Sequence, residues 1–233
     1  MNVSMPQLPT EFIGTTVLDT IGLIITGTDE LFREKFNTTY SNFGIISSRT
    51  GAAGQILAAD EAVKMTNAEV VTIELPRDTK GWGGHGNYIV LGGKSVSDTR
   101  RAVEIALENV EKNAGEVYIS DAGHLEFAFS SSADAALGKA FGAPQGKAFG
   151  FVAASPAAIG LLLADKALKF SSVKLLGYMS PDHGTSHSNE VIVYFTGETS
   201  DVKNTVIYAR ELGMELLTSL GSVPESPGKS YIK

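Results

Sequence analysis

The chain has 233 residues, a formal net charge of −7 and no cysteine, which suits one large or two small domains and excludes a disulfide framework and a thiolate metal site. The acidic balance and the lack of a Lys/Arg cluster argue against a nucleic-acid surface. The longest apolar stretches, such as 159–164, are far too short for a membrane span, and the N-terminus carries no secretory signal pattern.

Taken in chain order, residues 15–26 are rich in β-branched side chains and predict one or two strands. Thr28 is placed to cap a short helix through about Phe36. A short strand surrounds Gly44, and a helix follows from about Gly54 to Thr66 with Ile56, Ala59 and Val63 at helical spacing. Residues 70–75 read as a strand ended by Pro76. A glycine-rich loop and another strand follow, and then a helix capped by Ser97 that runs to about Glu111.

The same plan then recurs. EVYIS and LEFAFS read as strands, and Ser132 caps a short helix. After FGFVAAS, Ser155-Pro156 reads as an N-cap with proline at the first helical position. A strand ends at Pro181, EVIVYFTG is the next, and Ser200 caps the last long helix. The tail from Gly221 reads as loose. The recurrence extends to residues: GIISSRTGAAGQILAADEAVK from Gly44 matches GFVAASPAAIGLLLADKALK from Gly150. Asp60, Lys64 and Pro76 pair with Asp165, Lys169 and Pro181, and Ile89-Val90 with Ile192-Val193. A period near 105 residues is the size of a small domain, so the pattern is a tandem duplication and not a solenoid. The expected fold is α/β (α+β), with a mixed, mainly antiparallel sheet flanked by helices in each half.

A strand, a glycine-rich loop, a strand and a capped amphipathic helix, preceded by the AADEAVK and LADKALK helices, resemble the bacterial microcompartment (BMC) shell domain. Elements that lie at that domain's C-terminal end come first in each copy here, so the chain resembles the tandem, circularly permuted form of the family, nearest its propanediol-utilisation branch. The expected division is an extension at 1–11, domains at 12–114 and 115–220, and a tail at 221–233. The resemblance implies a homotrimer forming a pseudo-hexameric tile, located in the microcompartment shell within the cytoplasm. It implies edge-to-edge tiling with other shell proteins, and pores for small polyol or aldehyde metabolites such as 1,2-propanediol or glycerol. It implies no catalytic residue and no cofactor. A ligand-binding module that does not assemble, and an enzyme using the histidine loops, are the competing readings.

The two proline loops differ most between the copies. Carried over from the family, Lys80, Gly81, Trp82, Gly83, Gly84, His85 and Gly86, with Asp182, His183, Gly184, Thr185, Ser186 and His187, are the expected central pore loops. Ordinary hairpin turns explain the same composition. Asp182, His183 and His187 also have metal-ligand chemistry, although such residues often share a polar loop without metal. Ser48, Arg49, Thr50, Asn87 and Tyr118 are candidates for a polyol site at the seam between the copies. Gly93-Lys94-Ser95 fails as a phosphate loop, because Tyr88 stands where the pattern requires glycine. No Ser/His/Asp triad is legible, and His124 has no acid partner nearby in sequence, which suggests a turn or an interdomain hydrogen bond. Lys64 and Lys169 either complement a helix dipole or contact a neighbouring tile.

Overall fold

A computed structural model describes residues 9–77 and 85–233. The first half contains strands β1 (Phe12–Thr16), β2 (Thr20–Thr26), β3 (Asn42–Ser48), β4 (Glu69–Glu74) and β5 (Asn87–Gly93). Its helices are α1 (Glu30–Lys35), α2 (Ala53–Lys64) and α3 (Val96–Asn113). The second half repeats them as β6 (Val117–Ser120), β7 (Gly123–Ser130), β8 (Ala148–Ser155), β9 (Lys174–Met179) and β10 (Val191–Gly197). Its helices are α4 (Ala135–Phe141), α5 (Ala157–Phe170) and α6 (Thr199–Thr218). Each sheet has five strands, in the orders β1-β2-β3-β5-β4 and β6-β7-β8-β10-β9. Every pairing is antiparallel.

Alternation along β8 explains how the halves join. Val152 and Ala154 face α5 and α6, in a core with Leu163, Val193, Phe195 and Val206. Phe149, Phe151 and Ala153 face the other way and join a core with Ile56 and Leu57 of the first half. The second sheet is therefore covered on both faces, and its fully buried Phe127, Phe149, Phe151 and Phe195 each contribute roughly 1.5–3 kcal/mol. The glycines that anchor the repeat have a packing cause. A Cβ on Gly44 would stand 2.6 Å from Val103 Cγ2, and one on Gly150 would strike the Phe195 ring.

The strand register corrects one sequence pairing by a residue. Ile46 pairs with Ile89, and its counterpart Val152 pairs with Val193. Ile89 thus matches Val193 and not Ile192; matching it to Ile192 would turn the strand over.

Several caps also differ from the expected residues. Asp29, not Thr28, caps α1 by accepting the Leu31 N–H at 2.9 Å. Ser95, not Ser97, caps α3 by accepting the Asp98 N–H at 3.0 Å. Pro156 is itself the N-cap of α5, and the Ala157 N–H finds Asn189 Oδ1 at 3.0 Å. Helix α6 starts at Thr199, so Ser200 lies inside it and Glu198 is the N-cap. Ser132 does not cap α4; Asp134 is the N-cap residue, and the side chain that serves the helix end comes from Asp60, in the other half.

The tail is docked, contrary to the expectation of looseness. Glu225 pairs with Ile119, Ile232 is buried, and Tyr231 Oη donates to Phe129 O. Glu116, fully buried, accepts the Ile232 N–H at 3.0 Å and the Ser230 hydroxyl, and pairs with Arg210 at 3.0 Å. A carboxylate buried there requires these donors, and the tail supplies two of them.

Candidate functional site

The two proline loops lead to one buried seam between the halves. At the root of the first, the Gly86 N–H donates to Pro76 O at 3.0 Å and Arg77 bridges to His85. Lys80, Gly81, Trp82, Gly83 and Gly84 lie outside the described residues. A side chain at Gly86 would meet the Ser48 carbonyl at 2.5 Å, so glycine lets β5 begin against β3.

The second loop is a compact turn. The His183 and Thr185 N–H groups donate to Ser180 O at 3.0 and 3.2 Å, and that of His187 to Pro181 O at 2.8 Å. Ser186 and His187 both adopt left-handed backbone angles beside Gly184. The Asp182 and His183 side chains are 84% and 80% exposed and stand 3.8 Å apart, a solvated pair. Thr185 is buried, and its hydroxyl donates to Ser188 O at 3.3 Å. Among the described residues, no three His, Cys, Asp or Glu side chains are grouped to hold a metal.

Of the polyol candidates, Ser48, Thr50 and Asn87 come together. Asn87 Nδ2 donates to Ser48 Oγ at 2.6 Å and to Gly51 O at 3.0 Å. Gln55, which the sequence reading missed, donates to Ser48 Oγ, Thr20 Oγ1 and Thr50 O at 3.1–3.2 Å. Asn87 Oδ1 and Gln55 Oε1 are buried with no partner among the described residues. Arg49 is exposed beside them. Tyr118 lies elsewhere, donating to Glu116 at 3.4 Å and packing on Phe127.

The seam continues into a cluster whose acids the sequence reading also missed. Glu190, just before β10, is 1% exposed. Its Oε1 stands 2.7 Å from His124 Nε2, and its Oε2 stands 2.7 Å from His85 Nδ1. The second approach is close but not aligned as a directed hydrogen bond. Glu126, two residues along β7 from His124, accepts the Ala52 and Ala53 N–H groups at 2.9 and 2.8 Å where α2 begins. Burial pushes the Glu190 carboxyl up, but the two imidazoles outweigh it and hold the group at about 2. Burial pulls His85 down, but Glu190, with Glu126 and the Thr185 backbone, raises its pKa overall. Glu126 is raised, because burial outweighs its backbone donors.

One signal of the cluster was present in the sequence. HLEF alternates charge with large apolar residues on a strand, which marks a polar face turned toward another surface and not toward solvent. The partners, separated by tens of residues, were not legible.

The BMC domain family matches the chain over residues 42–122 and 148–227. Each match starts at β3 or β8, after the two strands and short helix that open each half. A curated relative, the bacterial microcompartment shell protein PduB of Citrobacter freundii, is 49% identical over 225 residues, covering 96% of this chain and 83% of that protein. A solved trimeric shell protein PduB superposes with a TM-score of 0.91 at 44% identity, covering 95% of this chain and 99% of that one. EtuB from Clostridium kluyveri gives 0.92 at 49% identity, covering 96% and 99%. Two matched domains, two matching sheets and relatives of this identity agree: the chain belongs to the bacterial microcompartment shell proteins, in the form that carries two BMC domains in tandem.

Proposed function

We propose that the chain is a structural tile of a microcompartment shell, assembled as a homotrimer whose six domains, 12–114 and 115–220 in each copy, surround the proline loops. The observation that carries this is a mismatch in burial between the two copies. At a spacing of 105 residues, α2 and α5 bury the same inward positions: Ala58 and Leu163, Ala59 and Ala164, Ala62 and Ala167. On the adjoining face they differ. Ile56 and Leu57 are 0% and 4% exposed because the second half covers them; their counterparts Leu161 and Leu162 are 55% and 38% exposed.

The complementary surface is on the first half. There Phe32, Phe36, Phe43 and Ile45 line an open apolar pocket of about 280 Å³. It stands where Leu137, Phe141, Phe149 and Phe151 of the second half receive Ile56 and Leu57. Seating α5 of one copy in this pocket of the next repeats the internal contact between chains. Such a head-to-tail contact closes into a ring when the rotation allows, and the trimeric PduB supports three copies. Lys64 donates to Ser132 O across the halves at 2.6 Å; Lys169, 71% exposed, makes no such cross-half contact among the described residues and fits the neighbouring copy.

Small polyols or aldehydes would cross near Asp182–His187 and residues 80–86, with Ser48, Thr50 and Asn87 as a polyol-binding seam; edge-to-edge contacts with other shell proteins complete the reading. The unpartnered Asn87 Oδ1 and Gln55 Oε1 support the seam. Light scattering tests the assembly: a mass of three chains is expected, and Leu161→Asp should shift it toward one. A monomeric wild-type chain at micromolar concentration would sink the reading. Crystals soaked in glycerol or 1,2-propanediol test the seam, and an empty seam would remove the polyol assignment alone.

A further inference from the structure

We propose that Glu190 anchors a proton-dependent latch that fastens the root of the first proline loop, through His85, to the root of the second. The geometry is specific. The Glu190 carboxylate, 1% exposed, lies between two imidazoles that come from different halves of the chain. His124 projects from β7 of the same half as Glu190 and holds one oxygen. His85 comes from the first half, where Arg77 and the Gly86–Pro76 hydrogen bond close the loop root. One side chain therefore joins the end of one loop to the end of the other.

The chemistry of the contact makes it depend on a proton. A cationic imidazole has two donors and a charge; a neutral one keeps one donor and loses the charge. His85 Nδ1 stands 2.7 Å from Glu190, and Glu190, Glu126 and the Thr185 backbone favour the protonated ring against the effect of burial. The remaining charged groups in the cluster are His124 and Glu126, both on β7, with the α2 N-terminus turned toward Glu126. Arg77, Arg49, Asp182 and His183 are exposed at its margin. With Glu190 and Glu126 both buried near it, a protonated His85 offsets part of their carboxylate charge.

The sign follows from the shift. His85 is raised above its ordinary value, so the tie is complete below about pH 6.5 and weakens as pH rises through the folded-state pKa. Loss of the tie frees His85 and the start of β5, while the sheets stay intact. The latch lies within one chain, so it stands or falls independently of trimer formation.

The test uses the full chain labelled at histidine Cε1. Only four histidines are present, so single substitutions assign the four NMR signals. His85 is expected to titrate above its ordinary value and to fall in Glu190→Gln. Hydrogen exchange of the amides from Gly86 to Ile89, corrected for intrinsic rate, should speed up about tenfold or more above the His85 midpoint, the scale of one weakened buried ion pair. His85→Asn cannot gain the proton and should abolish that midpoint, which keeps the idea testable if Glu190→Gln fails to fold. A merely structural cluster would change the melting temperature and leave the exchange without a midpoint. His85 titrating at its ordinary value, or exchange unaltered across that pH range, would overturn the proposal.

Discussion

Asp60 and Leu137 belong to opposite halves of the chain, yet the Asp60 carboxylate accepts the Leu137 N–H at 3.1 Å. It also accepts the N–H groups of Ala136 and Asp134 at 3.0 Å. Helix α4 has no side-chain cap of its own, so Asp60 holds its N-terminus from across the seam. Asp60→Ala would leave these donors unsatisfied in a buried site, and should lower the unfolding free energy by about 2–4 kcal/mol. Denaturant titration measures this directly.

The counterpart Asp165 caps no helix among the described residues. It is exposed and pairs with Lys169. In the ring proposed above, repeating the contact between Asp60 and α4 would bring Asp165 to α1 of the next copy. Asp165→Ala should therefore leave the helix content unchanged and weaken each contact between copies, by roughly fivefold in dissociation constant if the contact is worth about 1 kcal/mol. Sedimentation over a concentration series reads the difference. Equal dissociation of wild type and variant would remove Asp165 from the interface.

Ending the chain at Gly221 should destabilise it by about 3 kcal/mol or more, through lost apolar burial and the donors to Glu116. Within that tail, Tyr231 supplies an alkaline signature. Burial raises its phenol far above the usual range near 10. Its contribution is present below pH 10 and is lost as pH rises above it, because the unfolded phenol ionises first. Tyr231→Phe should cost about 1 kcal/mol at neutral pH and flatten the fall in stability above pH 10.

Glu126→Gln should stabilise the fold at neutral pH. The amide oxygen can still accept from Ala52 and Ala53, and the change removes one of the two carboxylates buried in the seam cluster. The Glu126 carboxyl is raised by burial, so its cost appears as pH rises from about 4.5 toward the folded-state value. The gain from glutamine should follow the same window and vanish in acid. Chemical denaturation at a series of pH values checks the trend.

The duplication and the order of the elements were legible in the sequence because they rest on local patterns. Ile56, Ala59 and Val63 advertise a helix without reference to anything distant. The caps were less legible. Thr28 and Asp29 are both competent, and only the backbone angle at Asp29 decides between them. Ser95 and Ser97 pose the same choice. The docked tail escaped because Tyr231 and Ile232 find their partners at Phe129 and Glu116, about a hundred residues away. His124 seemed to lack an acid for the same reason: Glu190 is 66 residues further on. The candidate loops followed from the resemblance to the family, whereas the seam joining them is a matter of which strands end side by side.

Helix α1 carries its own cap through Asp29, while α4 borrows one from Asp60. The two are equivalent positions with different histories. The borrowed cap belongs to a contact that the covalent chain makes permanent, at a local concentration no free partner matches. In the proposed ring the self-capped helix would meet a partner that arrives by diffusion, with its end satisfied beforehand. In the proposed trimer such a tile would need three contacts between copies in place of six, and the backbone at the start of α1 is already hydrogen-bonded where the next copy would land.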